Sequence, residues 1–198
     1  MSRAFQFQPI LVRDYLDGER QAKRRHEYVN GVVYAMSGGT VQHSRIGSNA
    51  IIALGAQLRG QKCEVFNSDM KTRVRMSSGT RFYYSDASVV CQQNNANESF
   101  QDSPVVIVEV ISESTRRTDE YEKCEAYLTI DSLFAYILVG LTSASALVYR
   151  RADSGFDREV YKGLDAIIPL PEIQCELSFR ELYRNVEFAP IVSEEDEE

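Results

Sequence analysis

One segment constrains the fold more than any other: PVVIVEVIS, residues 104–112, which is apolar at almost every position. A strand with one face in water alternates apolar and polar residues, and this one does not. An unbroken run of that length suits a central strand covered on both faces, and so a sheet with further layers on each side. The surrounding patterns supply candidates for those layers. From His43 to Arg59, Ile46, Ala50, Leu54 and Leu58 recur every four residues, with Ile51 and Ala53 widening the stripe, as in an amphipathic helix of about four turns. MKTRVRM (70–76) alternates with period two, placing Lys71, Arg73 and Arg75 on one face. RFYYSDASVVC (81–91), GVVYAM (31–36), FAYILVGL (134–141), ALVYRR (146–151) and REVYKG (158–163) read as strands. ILVRDYL after Pro9, the stretch from Thr118 to about Leu128, and FRELY (179–183) read as helices, the second capped by Thr118. The order predicts one α/β (α+β) domain with a mixed sheet flanked by helices.

Charge and cysteine content narrow the function. The formal net charge of −7 owes five units to Glu194–Glu198, and without them −2 remains. Near-neutral charge argues against a tight non-specific DNA binder but permits a local basic surface. Residues 191–198 read as a disordered acidic tail after a domain spanning 1–190. The start MSRAFQFQPILVRDYL lacks the cationic, apolar and small-residue succession of a secretory signal, and no stretch approaches a membrane span. A cytosolic location is therefore expected. Cys63, Cys91, Cys124 and Cys175 form no CxxC pair and sit among apolar neighbours, which predicts four reduced, buried thiols. With only His26 and His43 present, a histidine-rich metal site is close to excluded. His43 opens the long helix, where it caps the helix or approaches a phosphate, the cap being the simpler role. SGGT (37–40) lacks the Lys-Ser/Thr of a P-loop and reads as a turn.

Two acids do not suit their surroundings. Glu109 interrupts the apolar run, and Asp86 lies in the middle of YSDASVV. A buried carboxylate must be protonated, paired or bound to a metal. Carboxylates on neighbouring strands can hold a hard cation such as Mg²⁺. Each acid taken alone is equally an ion-pair partner for Arg73 or Arg75. Lys123, in DEYEKCEAY, falls beside an inward stripe of Cys124 and Leu128, with Tyr127 one turn on. By spacing alone Lys123 is a surface partner of Asp119, and Glu27 a surface acid after the basic cluster Arg20, Lys23, Arg24 and Arg25.

RRHEYVNGVVYAMSGG, HSRIGSNAIIALGAQLRG, CEVFNSDMKTRV, RFYYSDASVV, PVVIVEVISEST and DEYEKCEAY together resemble, in order and spacing, the Uma-type restriction endonucleases of the PD-(D/E)XK nuclease superfamily. The resemblance covers nearly everything but the acidic tail and implies a restriction-endonuclease-like core. It also implies a metal-dependent endonuclease acting on DNA. Asp86 matches the acid of the first half-motif and Glu109 that of the second. Ile111 stands where the wider superfamily has lysine; Lys123 matches the position to which this branch has moved it, and Glu27 the acid on an early helix. The implied metal is Mg²⁺, or Mn²⁺, held by Asp86, Glu109 and the main-chain oxygen of Val110. Ser85 and Glu113 replace prolines of the family pattern, and Gly140 an aspartate; none removes a catalytic group. A homodimer is expected if both strands of a duplex are cut. The alternative is a non-catalytic module that keeps the scaffold and binds nucleic acid or protein. The basic cluster and the Lys71–Arg73–Arg75 face are read either as phosphate contacts or as solvated surface.

Overall fold

The computed structural model describes residues 8–36, 38–111 and 118–188, with the side chains of 118–120 excepted. Helix α1 (Val12–Glu19) leads into a hairpin of β1 (His26–Val29) and β2 (Val32–Ala35). Asn30 and Gly31, with φ of 49° and 93°, make its two-residue turn, a position that strongly favours this dipeptide. Helix α2 (Val41–Gln57) follows, then β3 (Glu64–Asn67), β4 (Lys71–Met76), β5 (Gly79–Tyr84), β6 (Ala87–Val90), β7 (Phe100–Gln101) and β8 (Pro104–Ile111). A helical segment begins with a wide π-type turn over Thr118–Lys123 and continues as α3 (Cys124–Tyr127). Strands β9 (Ala135–Gly140), β10 (Ser145–Ala152), β11 (Gly155–Lys162), β12 (Ile167–Leu170) and β13 (Cys175–Ser178) precede α4 (Phe179–Leu182). Among the described residues no helix is long and apolar enough to cross a membrane.

The strands form a five-stranded sheet in the order β2-β1-β5-β4-β7, a six-stranded sheet in the order β11-β10-β9-β8-β6-β3, and the small β12-β13 hairpin. Strand β8 lies inside the larger sheet, parallel to β9 and antiparallel to β6, and every residue of it is buried. Its alternation divides two cores. Val106, Val108 and Val110 pack with Ile46, Ala50 and Leu54 of α2 and with Ile168, Leu177 and Phe179 of the C-terminal elements. Ile107 and Ile111 face the other way, against Tyr83, Tyr127, Leu133 and Tyr136. Full burial of each such aliphatic side chain is worth about 1.5–3 kcal/mol, so the two-faced run drives the layering. Glu109 shares the second face. Asn49 and Gln57 of α2 donate to the main chain of Leu182, Arg184 and Glu176, pinning the C-terminal elements to that helix.

Four expectations are corrected. RFYYSDASVVC is two strands, since the chain leaves the five-stranded sheet after Tyr84 and enters the six-stranded sheet at Ala87. The presumptive early helix carrying Glu27 is strand β1, where Tyr28 and Val29 pair with Phe82 and Arg81 of β5. The four thiols are not all reduced: Cys63 and Cys91 form a disulfide, because the pairing of Glu64 with Val90 sets the flanking cysteines opposite each other. Lys71, Arg73 and Arg75 do not form an open basic face. Lys71 is buried beneath the Tyr84 hydroxyl, and Arg73 grips both oxygens of Asp102 at 2.6 Å. Glu113 and the tail at 191–198 lie outside the described residues.

Candidate active site

The crossing between sheets generates the site. Asp86 lies in the two-residue link between β5 and β6. The β6–β8 ladder stops at the pair Ala87–Val108, so β8 runs on past the end of β6. The Val110 amide lies beyond that end and donates to Asp86 Oδ2 at 2.7 Å. Asp86 is thereby tied to the residue next to Glu109. It is Val110's amide that the structure brings to Asp86.

Glu109 and Glu27 come from different sheets and meet at one ammonium. Lys123 Nζ stands 3.0 Å from Glu27 Oε1 and 3.4 Å from Glu109 Oε1. All three side chains are almost enclosed, with exposures of 13% for Glu27, 5% for Glu109 and 7% for Lys123. Charges so far from water need partners, and each of the three has them. The Tyr127 hydroxyl donates to Glu109 Oε1 at 3.3 Å, one helical turn after Lys123. The Tyr84 amide donates to Glu27 Oε1 at 3.3 Å. Lys123 ends the π-type turn, and such turns often occur where a helix must aim a functional side chain.

Asp86, unlike Glu27 and Glu109, is among the residues that line an open cleft. The cleft has a volume of about 880 Å³, and its walls include Lys23, Arg24, Gly39, His43, Gly47 and Tyr84. Arg25 also borders it, donating to the Ser68 carbonyl at 2.8 Å and pairing with Asp69. Lys23 and Arg24 form no ion pair among the described residues, leaving two cations on the cleft wall. Behind Tyr84 is a second polar group. The Tyr84 hydroxyl donates to Glu19 at 3.0 Å and accepts from Lys71 at 3.3 Å. Burial pushes the Tyr84 hydroxyl's pKa up, with Glu19's negative charge adding to the effect, so this phenol stays protonated. Burial likewise pulls Lys71 down.

The structure thus brings Glu27, Glu109 and Lys123 together and fastens Asp86 to the main chain of Val110, the residue after Glu109. Sequence reasoning missed Tyr84 and took His43 chiefly for a helix cap. The capping side chain is Thr40, which accepts from the His43 amide, while the His43 ring turns toward Asp86. The signal for this was present, since Thr40 is the better capping residue and stands three positions ahead. Among the described residues no three His, Cys, Asp or Glu side chains converge to hold a metal by themselves. Any ion bound at Asp86 and Glu109 would therefore complete its shell with main-chain oxygen and water. Hard oxygen donors few in number suit Mg²⁺ or Mn²⁺ rather than zinc.

The family model that matches residues 12–184 is Uma2, described as "Putative restriction endonuclease". Two uncharacterized proteins of Synechocystis sp. are similar. One is 32% identical over 150 residues, 75% of this chain and 78% of its own length. The other is 28% identical over 133 residues, 66% of this chain and 74% of its own. A crystal structure from Anabaena variabilis, described as that of a "putative nuclease", superposes with a TM-score of 0.66 at 19% identity, covering 85% of this chain and 96% of that one. At that identity it shows the fold, a mixed α+β, restriction-endonuclease-like architecture. With the matched region running from α1 to just beyond α4, the chain belongs to the Uma2 family of restriction-endonuclease-like proteins.

Proposed function

We propose that this protein is a divalent-metal-dependent endonuclease of the PD-(D/E)XK type that hydrolyses DNA phosphodiester bonds. The observation that carries the reading is the Lys123 ammonium held between the buried carboxylates Glu27 and Glu109, with Asp86 fastened to Val110 one residue along. A buried charged cluster one residue from the backbone that holds a cleft-lining carboxylate is a functional-site candidate. Family membership supports the same reaction class.

In this reading Asp86, Glu109 and the main-chain oxygen of Val110 would hold Mg²⁺ or Mn²⁺. A divalent cation there would make a bound water more acidic and would neutralise charge growing on the phosphate. The protein's own groups do the rest. Lys123 donates to the attacking water or to a non-bridging phosphate oxygen, offsetting negative charge in the transition state. Glu27 and Glu109 fix Nζ in that position, and Tyr127 fixes Glu109. Lys23 and Arg24 on the cleft wall contact phosphates on either side of the one being cut. A twofold homodimer would present two such clefts to opposite strands.

The test is plasmid nicking by the wild type and Glu109→Ala, both checked for folding, in EDTA, Mg²⁺ and Mn²⁺. Metal-dependent nicking by the wild type, reduced at least about 1,000-fold in the variant, is the expected result. Full cleavage by folded Glu109→Ala removes the assignment. Absence of both cleavage and calorimetric Mn²⁺ binding in the wild type leaves the non-catalytic module as the reading.

A further inference from the structure

His43 contributes a ring that neither the helix nor the core requires. It lies in the first turn of α2, which Thr40 already caps, so the helix end is satisfied without it. Its side chain is 19% exposed and lines the cleft, with Nε2 3.4 Å from Asp86 Oδ2. The same oxygen accepts the Val110 amide. Two groups from different layers, one in α2 and one in β8, thus converge on one carboxylate oxygen.

The loop before the helix is shaped around this ring. A Cβ at Gly39 would stand 3.0 Å from His43 Nδ1 and 3.2 Å from Cγ, closer than side chains normally pack. Glycine at 39 therefore leaves room for the ring in the orientation that reaches Asp86. One turn further along α2, Gly47 packs against Asp86, where a Cβ would make ordinary contact at 3.6 Å.

We propose that His43 is a positioning residue: its ring, with Nε2 3.4 Å from Oδ2, braces the Asp86 carboxylate in the rotamer that takes the Val110 amide. The role it serves in catalysis rests on the nuclease reading above, whereas the positioning itself does not. Asp86 is in a link between strands rather than in a ladder, so the groups that contact its carboxylate set the orientation of its side chain. Partners that orient a reactive group in this way change activity about 10–100-fold when removed.

The experiment uses the metal-free protein in EDTA and follows the Val110 amide by NMR. His43→Ala is expected to shift that resonance and speed its hydrogen exchange about tenfold, with the Val106 and Ile137 amides unchanged. His43→Gln, whose side-chain amide reaches similarly, restores both. Gly39→Ala, which crowds the ring without removing it, reproduces the shift in part. An unaltered Val110 amide in folded His43→Ala overturns the proposal, as does a uniform acceleration of all three amides. In the cleavage assay His43→Ala lowers kcat about 10–100-fold with KM within about threefold, and a loss confined to KM contradicts positioning. If the wild type neither cuts DNA nor binds Mn²⁺, the nuclease reading fails and the Val110 result still decides this one.

Discussion

Lys123 shows how one side chain can be ordinary in sequence and singular in space. Its surroundings in sequence, DEYEKCEAY, describe any charged helix, and spacing pairs it most simply with an acid one turn back. Its two carboxylate neighbours are 96 and 14 residues away in the chain, distances that no local pattern encodes. The resemblance to a nuclease family singled out Lys123; periodicity alone would not have. Glu109 is the opposite case, legible because a carboxylate inside an apolar strand is anomalous wherever it occurs. The two should also differ in stability. Lys123→Met strands two enclosed carboxylates and is expected to cost about 3 kcal/mol, by the penalty for breaking a buried pair. Glu109→Gln keeps a hydrogen-bonding group beside Tyr127 and Lys123 and should lie within about 1 kcal/mol of wild type. Urea titrations of both in EDTA check this, and equal stabilities would mean that the ammonium is not what neutralises the acids.

Among elements, β8 was the most legible, since a doubly buried strand needs an uninterrupted apolar run and 104–112 supplies one. Helix α2 followed from its four-residue recurrence. The break between β5 and β6 was hidden because aromatic and β-branched residues continue through it, and only the change of sheet reveals it. The β12–β13 hairpin went unread: Pro169 and Pro171 mask a strand pattern that its buried residues, Ile168, Leu170 and Leu177, nevertheless follow. Strand β4 was read with the right alternation but the wrong environment. Arg73 serves structure, its guanidinium forked onto Asp102 and stacked 4.1 Å from the Phe100 ring. Burial opposes the charge on Asp102, yet hydrogen bonds from Arg73 and Asn94 outweigh it and hold its carboxyl below the usual range. A depressed carboxylate stabilises the fold above its unfolded pKa of about 3.9, and that stabilisation drains away as pH falls through the lower folded value. Asp102→Asn should therefore cost about 1–2 kcal/mol at pH 7 and progressively less below about pH 4. Stability curves at pH 7, 5 and 3 test this, and a gap that widens on acidification would contradict it.

At the scale of the whole molecule the disulfide was the least legible feature, because 28 residues separate Cys63 from Cys91 and only the β3–β6 register unites them. Cys124 and Cys175 are buried, and burial pushes both thiols up, which slows alkylation. Mass spectrometry after iodoacetamide treatment should count no modified cysteine in the native protein, two after denaturation, and four after denaturation with reduction. Closing a loop of that length is worth about 3.6 kcal/mol, so a reductant should lower the urea midpoint with no change in the folded structure. Four alkylated cysteines without reductant would show the bond absent. The passage of the chain from one sheet to the other between Tyr84 and Ala87 has a mechanical consequence. Glu27 rides on one plate and Glu109 on the other, and Lys123 bolts them together along the seam. A slight slip of the plates alters the spacing of the acids while each plate stays intact, so the centre works as a gauge of their alignment. Heating should accordingly silence the centre several degrees before the strands themselves melt.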